Sequence, residues 1–427
     1  MTTALLTDRY ELTMLGAALR DGSAHRRCVF EVFTRRLPDG RRYGVVAGTA
    51  RVLDAIADFT FDPATIEVLR RGDVIDDLTA EYLAGYRFGG DVDGYAEGEL
   101  YFPYSPVLTV TGTFAEAVIL ETLVLSILNH DSAIAAAAAR MVTAAGGRPI
   151  IEMGSRRTHE QAAVASARAS YLAGFASTSN LEAARRYGVP TAGTAAHAFT
   201  LLHDDEAAAF AAQIATYGPG TTLLVDTYDI TRGIELAVAA AGPALGGVRI
   251  DSGDLGVLAN HARGQLDGLG ATGTRIVVSG DLDEFAIAAL AATPVDVYGA
   301  GTAVVTGSGA PTAGMVYKLV EVDGRPVAKR SEHKSTIGGR KTALRAHKPT
   351  GTAIEEIVAA GGDVEPGEGE RRLQRPLVRA GERVPDLPTL AESREYLRAA
   401  TVTLPWDGLK LSRGEPAIPT RLVAAQG

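Results

Sequence analysis

The chain is short of cysteine, tryptophan and positive charge, and each shortage excludes something. One cysteine and one tryptophan occur in 427 residues. A lone Cys28 can make neither an internal disulfide nor a thiolate zinc site. It lies in the run CVFEVF, where a buried strand thiol is expected. Lysine and arginine number 42 against 51 acids, for a net charge of −9. That balance disfavours general binding to nucleic acid or to an anionic membrane. Any phosphate must therefore be met by a local cluster of donors. No uninterrupted apolar run approaches the roughly 18 residues of a membrane span. The opening MTTALLTDRYEL has no basic-then-apolar leader. A cytoplasmic protein is the simplest expectation. Four common signatures are also missing: G-x-x-x-x-G-K-[ST], G-x-G-x-x-G, G-x-S-x-G and H-E-x-x-H. P-loop NTPases, dinucleotide-fingerprint oxidoreductases, elbow-type hydrolases and zincins lose ground accordingly.

What the chain has is a repeated pattern. Hydrophobic residues make up 46% and charged residues 22%, as in folded globular chains. The length suits two to three domains at about 150 residues each. Residues 1–112 mix helix and strand signals, including the helix LLTDRYELTMLGAALRDG, with Thr7 as its cap, and the strand CVFEVFTRRLP. From about residue 113, Ala-rich helices alternate with short apolar strands. TFAEAVILETLVLSILNH and DSAIAAAAARMVTAAGG read as two helices. Strand-turn units follow at RPIIEMGSRR, TTLLVDTYD, GVRIDSGDLG, TRIVVSGDLDE and VDVYGAGT. Asp226, Asp251, Asp281 and Gly301 are 25, 30 and 20 positions apart in turn, enough for one strand, one helix and two loops per unit. The strands are continuously apolar, as when both faces are buried. The polar clusters fall at strand C-terminal ends, the rim where βα folds carry their sites. We expect an α/β protein: an irregular (β/α) barrel over 113–320, plus a second α/β domain from 1–112 with 321–427 packed onto it. In the last segment, Asp323-Gly324 marks a hairpin.

Each rim cluster has a chemical reading and a structural alternative. Arg156 and Arg157 in EMGSRRTHE suit phosphate or carboxylate through the planar guanidinium fork; the alternative is a surface ion pair. His197 in GTAAHAF could be a base, a metal ligand or a phosphoryl acceptor, or merely structural; His203, six residues on, would not share its helix face. The acids of VDTYD, RIDSGD and SGDLDE suit Mg²⁺ shared with substrate phosphates. They equally suit helix capping at each βα turn, and the two roles can coexist. Arg249 lies two residues before Asp251 and faces the same side of a strand. The glycines of GAGT allow backbone N–H groups to approach phosphate oxygens. Lys318 and the KRSEHK loop add basic groups.

Taken together, these residues resemble nicotinate phosphoribosyltransferase, a type II phosphoribosyltransferase family. The resemblance runs through LLTDRYELTM, FEVFTRRLP, EMGSRRTHE, GTAAHAF, VDTYD, GVRIDSGDL, VYGAGT and MVYKLVE. It implies an irregular α/β barrel with a second α/β domain built from both chain ends. It implies synthesis of nicotinate mononucleotide and pyrophosphate from nicotinate and phosphoribosyl pyrophosphate in NAD salvage, with Mg²⁺ and with ATP as co-substrate. By resemblance, Tyr10 stacks on the pyridine ring from the neighbouring subunit of a homodimer, with Asp8 beside it. Arg249 and Thr194 contact nicotinate. His197 is the histidine that ATP phosphorylates. Arg156 contacts the phosphoribosyl group, and Asp226, Asp251 and Gly280 line the ribose and pyrophosphate. Gly301 and Thr302 meet the 5′-phosphate. Mg²⁺ is expected mainly through the substrate pyrophosphate. Related nicotinamide enzymes have an aspartate where Ser179 stands in STSN; its absence favours an acid over an amide substrate. His333 in KRSEHK and the missing C-terminal zinc knuckle depart from relatives. Three other readings compete: quinolinate phosphoribosyltransferase, which lacks the phosphohistidine motif; a Schiff-base aldolase using Lys318; and a non-catalytic phosphosugar-binding protein.

Overall fold

The computed structural model describes residues 2–329 and 337–423. Beyond Lys329, the KRSEHK loop and its His333 lie outside the described residues. The chain divides into two units, Met1–Ala136 with Ala310–Gly427, and Ala137–Gly309. The division falls inside a long helix, whereas the expected limits were 112 and 320.

The first unit opens with helix α1 (Arg9–Asp21), which buries Leu12, Leu15 and Ala18 on one face and ends at Gly22 with φ +82°, the left-handed stop that glycine adopts cheaply. Asp8, not Thr7, occupies its cap position, and its side chain makes no capping bond. The Thr7 hydroxyl instead donates to Glu11 Oε2 at 2.5 Å. Strands β1 (Arg27–Thr34), β2 (Asp91–Tyr95) and β3 (Leu108–Thr113) follow, with three short helices between β1 and β2. Next come helix α2 (Phe114–Val118) and the 25-residue helix α3 (Glu121–Ala145). The expected break at Asp131 does not occur. Asp131 is a buried mid-helix carboxylate bound to Arg51 at 2.7 Å and His130 at 2.9 Å, so it caps nothing. The true break is at Ile119–Leu120, and a capping box from Thr113 and Glu116 starts the short helix before it. Together Phe114–Ala145 is long and apolar enough to cross a membrane by length and composition; 67% of its most apolar window is buried, as in a core helix.

The second unit is a parallel βα array. Its strands are β4 (Ile150–Glu152), β5 (Ser177–Thr178), β6 (Thr222–Leu224), β7 (Gly247–Ile250), β8 (Arg275–Ser279) and β9 (Val297–Ala300), hydrogen-bonded in the order β5-β4-β9-β8-β7-β6. Every pairing is parallel. The sheet curls as a half-barrel, and among the described residues no ladder joins β5 to β6. Besides the short helix Leu181–Tyr187, the helices of this unit are α4 (Glu160–Leu172), α5 (His197–Leu201), α6 (Glu206–Tyr217), α7 (Ile230–Ala241), α8 (Leu255–Gly268), α9 (Glu284–Ala289) and α10 (Thr302–Val305). Continuous apolar runs put Leu223, Val225, Val248, Ile250, Ile276 and Val278 in the core, under the helices on the sheet. The segment VPTAGTAAHAF was expected as a strand and a turn. It forms only a bridge at Thr191, and His197 opens α5.

The chain then returns to the first unit. Strand β10 (Met315–Val322) pairs with β1 and turns at Asp323 and Gly324, both at positive φ, into Arg325–Pro326: the hairpin that Asp-Gly signals. Strands β11 (Lys341–His347), β12 (Ala353–Ala360) and β13 (Gln374–Arg379) follow, and then the helix Leu390–Val402. An antiparallel seven-stranded sheet runs Arg325–Pro326, β10, β1, β3, β2, β13, Glu382–Arg383. A four-stranded sheet holds Glu370–Arg372, β11, β12 and Thr420–Val423. Cys28 is a buried strand thiol whose pKa burial pushes up to about 11, so it is an inert core group.

Candidate active site

The rim of the half-barrel divides its acids between two jobs. Asp229, Asp254 and Asp283 cap α7, α8 and α9, accepting backbone N–H groups at 2.8, 3.1 and 2.8 Å. Asp226 and Asp251, at the strand ends before them, turn to the rim instead. Capping and site therefore coexist within a few residues of each other, as a strand–turn–helix unit permits.

Arg249 is the centre of the arrangement. Its side chain is 13% exposed and every guanidinium nitrogen is engaged. Nε donates to Ser279 Oγ at 2.8 Å, one terminal nitrogen to Thr194 Oγ1 at 2.9 Å, and the other to Asp251 Oδ1 at 2.7 Å. Ser279 Oγ also donates to Asp251 Oδ1. The fork is thus fixed in plane and position by residues at the ends of β7 and β8 and in the loop before α5. Three of its five N–H donors are used, and two terminal N–H bonds remain for a ligand carboxylate. Burial pushes the Asp251 carboxyl up, but hydrogen bonds from Ser279 and Arg249 outweigh it and hold the group below its ordinary value.

The Asp226 side chain is almost wholly buried, at 1% exposure. Its Oδ2 accepts the Asp251 N–H and the Ser252 hydroxyl, both at 2.8 Å. Its Oδ1 has no hydrogen-bond partner and lies 3.9 Å from His197 Nε2. His197 Nδ1 contacts Thr227 Oγ1 at 3.1 Å. The imidazole is therefore held by a hydrogen bond at Nδ1 alone, with the Asp226 carboxylate near Nε2, and it remains 42% exposed. His203 lies elsewhere on the same turn, bonded to the Phe199 carbonyl at 2.8 Å, and is structural.

A cleft of about 190 Å³ joins Arg156, Arg157, Arg249, Asp251, Gly280, Gly301 and Thr302. Arg156 and Arg157 are exposed at the mouth of this cleft. Gly280 has φ +117°, and a Cβ there would stand 2.6 Å from the Asp251 carbonyl oxygen. Only glycine lets the β8 turn pass so close. Ser179 sits at the exposed end of the STSN loop, its N–H donating to the Glu152 carbonyl at 2.8 Å.

Sequence reasoning passed over Ser279, Thr227 and Glu152. Ser279 had a visible signal, a polar residue closing the apolar run RIVVS. Asp281 also lines the cleft, with a non-glycine φ of +47°. Tyr10 and Asp8 belong to the first unit. Tyr10 is 46% exposed in the first turn of α1, and its hydroxyl is pushed up to about 12 by partial burial and by the charges of Glu121, Glu11 and Asp8. Lys318 is in the first unit too, paired with Glu121 at 3.5 Å, so it is no free Schiff-base amine. Among the described residues no group of three or more His, Cys, Asp or Glu is poised to hold a metal.

The family model for the nicotinate phosphoribosyltransferase (NAPRTase) N-terminal domain matches residues 5–129. The chain is 65% identical over 433 residues to a nicotinate phosphoribosyltransferase of Mycobacterium tuberculosis, covering 99% of this chain and 95% of that protein. It is 37% identical over 357 residues to the nicotinate phosphoribosyltransferase of Bacillus subtilis, covering 80% and 73%. Among solved structures it resembles human nicotinic acid phosphoribosyltransferase, with a TM-score of 0.82, 28% identity and 98% coverage of each chain. It also resembles the nicotinate-nucleotide pyrophosphorylase of Pyrococcus furiosus, with a TM-score of 0.77, 26% identity and coverage of 93% and 94%. The chain belongs to the nicotinate phosphoribosyltransferase family.

Proposed function

We propose that this chain transfers the phosphoribosyl group of phosphoribosyl pyrophosphate to nicotinate, giving nicotinate mononucleotide and pyrophosphate in NAD salvage. The observation that carries this reading is Arg249, fixed by three side chains beside a cleft that also holds Arg156, Gly280 and Thr302. Nicotinate brings a full carboxylate. Burying it requires a cation with directed donors, and the two remaining N–H bonds of Arg249 supply them. Thr194, already bonded to Arg249, completes the nicotinate end.

The ring nitrogen attacks C1′ of the ribose while the C1′–O bond to the diphosphate breaks, its electron pair leaving with pyrophosphate. Positive charge develops on the ribose, and the rim carboxylates Asp226 and Asp251 favour it. Arg156 and the loops at Gly280, Gly301 and Thr302 hold the phosphates, and the gain is chiefly positioning. Mg²⁺ fits as an ion carried in on the diphosphate, with Asp251 and Asp281 the cleft carboxylates to meet it. When bound, it neutralises the leaving pyrophosphate.

ATP acts as co-substrate: its γ-phosphoryl passes to His197, ADP leaves, and the phosphohistidine is later hydrolysed to free phosphate. The exposed imidazole, hydrogen-bonded at Nδ1 to Thr227 with the Asp226 carboxylate nearby, supports this role. A homodimer with shared sites accords with the exposed apolar side chains Leu5, Leu6, Tyr10 and Met14 around the start of α1, which a partner would cover. A cytoplasmic location accords with these soluble substrates.

A pyrophosphate-release assay with nicotinate, nicotinamide and quinolinate, each with and without ATP, tests the reading. Nicotinate should be strongly preferred and stimulated by ATP, with Ser179 in place of an aspartate leaving nicotinamide a poor substrate. Comparable kcat/KM for the amide contradicts the specificity. Release with quinolinate alone, indifferent to ATP, favours the decarboxylating relative instead.

A further inference from the structure

One buried acid beside the cleft has no part in the reaction as described. Glu152 ends β4 and is 1% exposed, yet it is not among the residues that line the cleft. Its carboxylate serves two different loops. Oε1 accepts the Gly154 backbone N–H, and Oε2 accepts the Thr178 hydroxyl at 2.5 Å. Thr178 Oγ1 in turn accepts the Asn180 N–H at 3.0 Å, and Asn180 Nδ2 donates to Ser155 Oγ at 3.0 Å. The same carboxylate therefore ties the turn after β4 to the loop after β5.

That turn is also pressed against a third loop. The Met153 N–H donates to the Ala300 carbonyl at 2.7 Å, and the Arg157 N–H folds back to the Gly154 carbonyl at 2.8 Å. A Cβ on Gly154 would stand 2.1 Å from Val305 Cγ1 and 3.1 Å from the Gly301 carbonyl oxygen. Residues 153–157 are thus clamped between the β5 loop and the β9 loop, with Glu152 as the anchor and with Arg156 and Arg157 at the outer end. Burial pushes the Glu152 carboxyl up, and the Thr178 hydroxyl opposes it. An acid is expensive to keep in such a place without a task, and a methionine or glutamine would fill the same space.

We propose that Glu152 is a positioning residue for the phosphoribosyl pyrophosphate end of the site: its carboxylate sets the turn that aims Arg156 and Arg157 at the phosphates. The proposal rests on the phosphoribosyltransferase reading of the cleft. Glu152 touches no reacting atom, so its loss acts through the arginines. An error of about 1 Å in such a placement is enough to cost tenfold or more.

The test is steady-state kinetics on the full chain with Glu152→Gln, Thr178→Val, Arg156→Ala and the Glu152→Gln/Arg156→Ala double variant. Glu152→Gln keeps the size and one acceptor oxygen, so melting close to that of the wild type is expected. Its KM for phosphoribosyl pyrophosphate should rise about tenfold, while KM for nicotinate and kcat change by less than about threefold. Thr178→Val should shift the same constant in the same direction by less. In the double variant the two effects should fall short of multiplying, because both act on one contact. Equal rises in both KM values, an unchanged KM for phosphoribosyl pyrophosphate, or fully multiplicative effects would overturn the proposal. If the wild type itself releases no pyrophosphate from nicotinate, the functional reading falls, and the proposal with it.

Discussion

Arg249 shows how one residue turns a strand end into a recognition site. A lone arginine on a rim would swing through many rotamers, but Ser279, Thr194 and Asp251 remove that freedom before a ligand arrives. Lysine keeps the charge but lacks the planar fork. Arg249→Lys should therefore lower kcat/KM for nicotinate by about tenfold to a hundredfold, with most of the loss in KM for nicotinate. A variant as active as the wild type would show that the guanidinium geometry is irrelevant. His197 makes a separable prediction. His197→Ala should abolish the stimulation of pyrophosphate release by ATP and any acid-labile labelling from γ-labelled ATP, while some basal transfer survives. ATP stimulation of undiminished size in that variant would remove His197 from the coupling.

Among elements, the seven-stranded and four-stranded sheets of the first unit are joined by a buried polar network. Arg345 on β11 donates to Glu99 at 2.5 Å and to Glu356 on β12 at 2.6 Å. Tyr95 on β2 donates to Glu356 at 2.6 Å, and Arg371 pairs with Glu99 at 2.7 Å. Such a network holds only while its charges are complete. Burial alone would push Glu99 up, but the charges of Arg345 and Arg371 pull its carboxyl down to about 2. A depressed carboxyl stabilises the fold above its ordinary value of 4.5, and that stabilisation is lost as pH falls from there towards about 2. Urea midpoints should drop between pH 5 and pH 3. Glu99→Gln should be less stable at pH 7 and should show a flatter acid limb. An acid limb as steep in Glu99→Gln as in the wild type would place the acid sensitivity elsewhere.

At the scale of the whole molecule, much of the second unit and its rim was legible in the chain. Continuous apolar strands ending in VDTYD, RIDSGD and SGDLDE leave few alternatives to a βα array with its polar groups at one end. The pairing of Asp226 with Asp229, or Asp251 with Asp254, did not announce which acid caps and which faces the rim. That choice depends on where each strand stops. The helix boundary expected at Asp131 failed for a related reason: only Arg51, 80 residues away in sequence, makes this acid an interior residue of one helix. Glu152, Thr227 and Ser279 act through partners on other loops, and no local pattern encodes a partner 26 or 30 residues distant. In the stretch 363–385, which reads as loops and short strands, the strand limits escaped for want of periodicity, since three residues such as Glu370–Arg372 carry no readable alternation.

The central claim is that one polar rim holds both the flat aromatic acid and the sugar phosphate. A crystal structure of the full chain with nicotinate mononucleotide tests it most directly. The account requires the pyridine carboxylate on Arg249 and the 5′-phosphate among Gly280, Gly301 and Thr302. A product bound away from Arg249, or with its phosphate at another edge of the half-barrel, would contradict it.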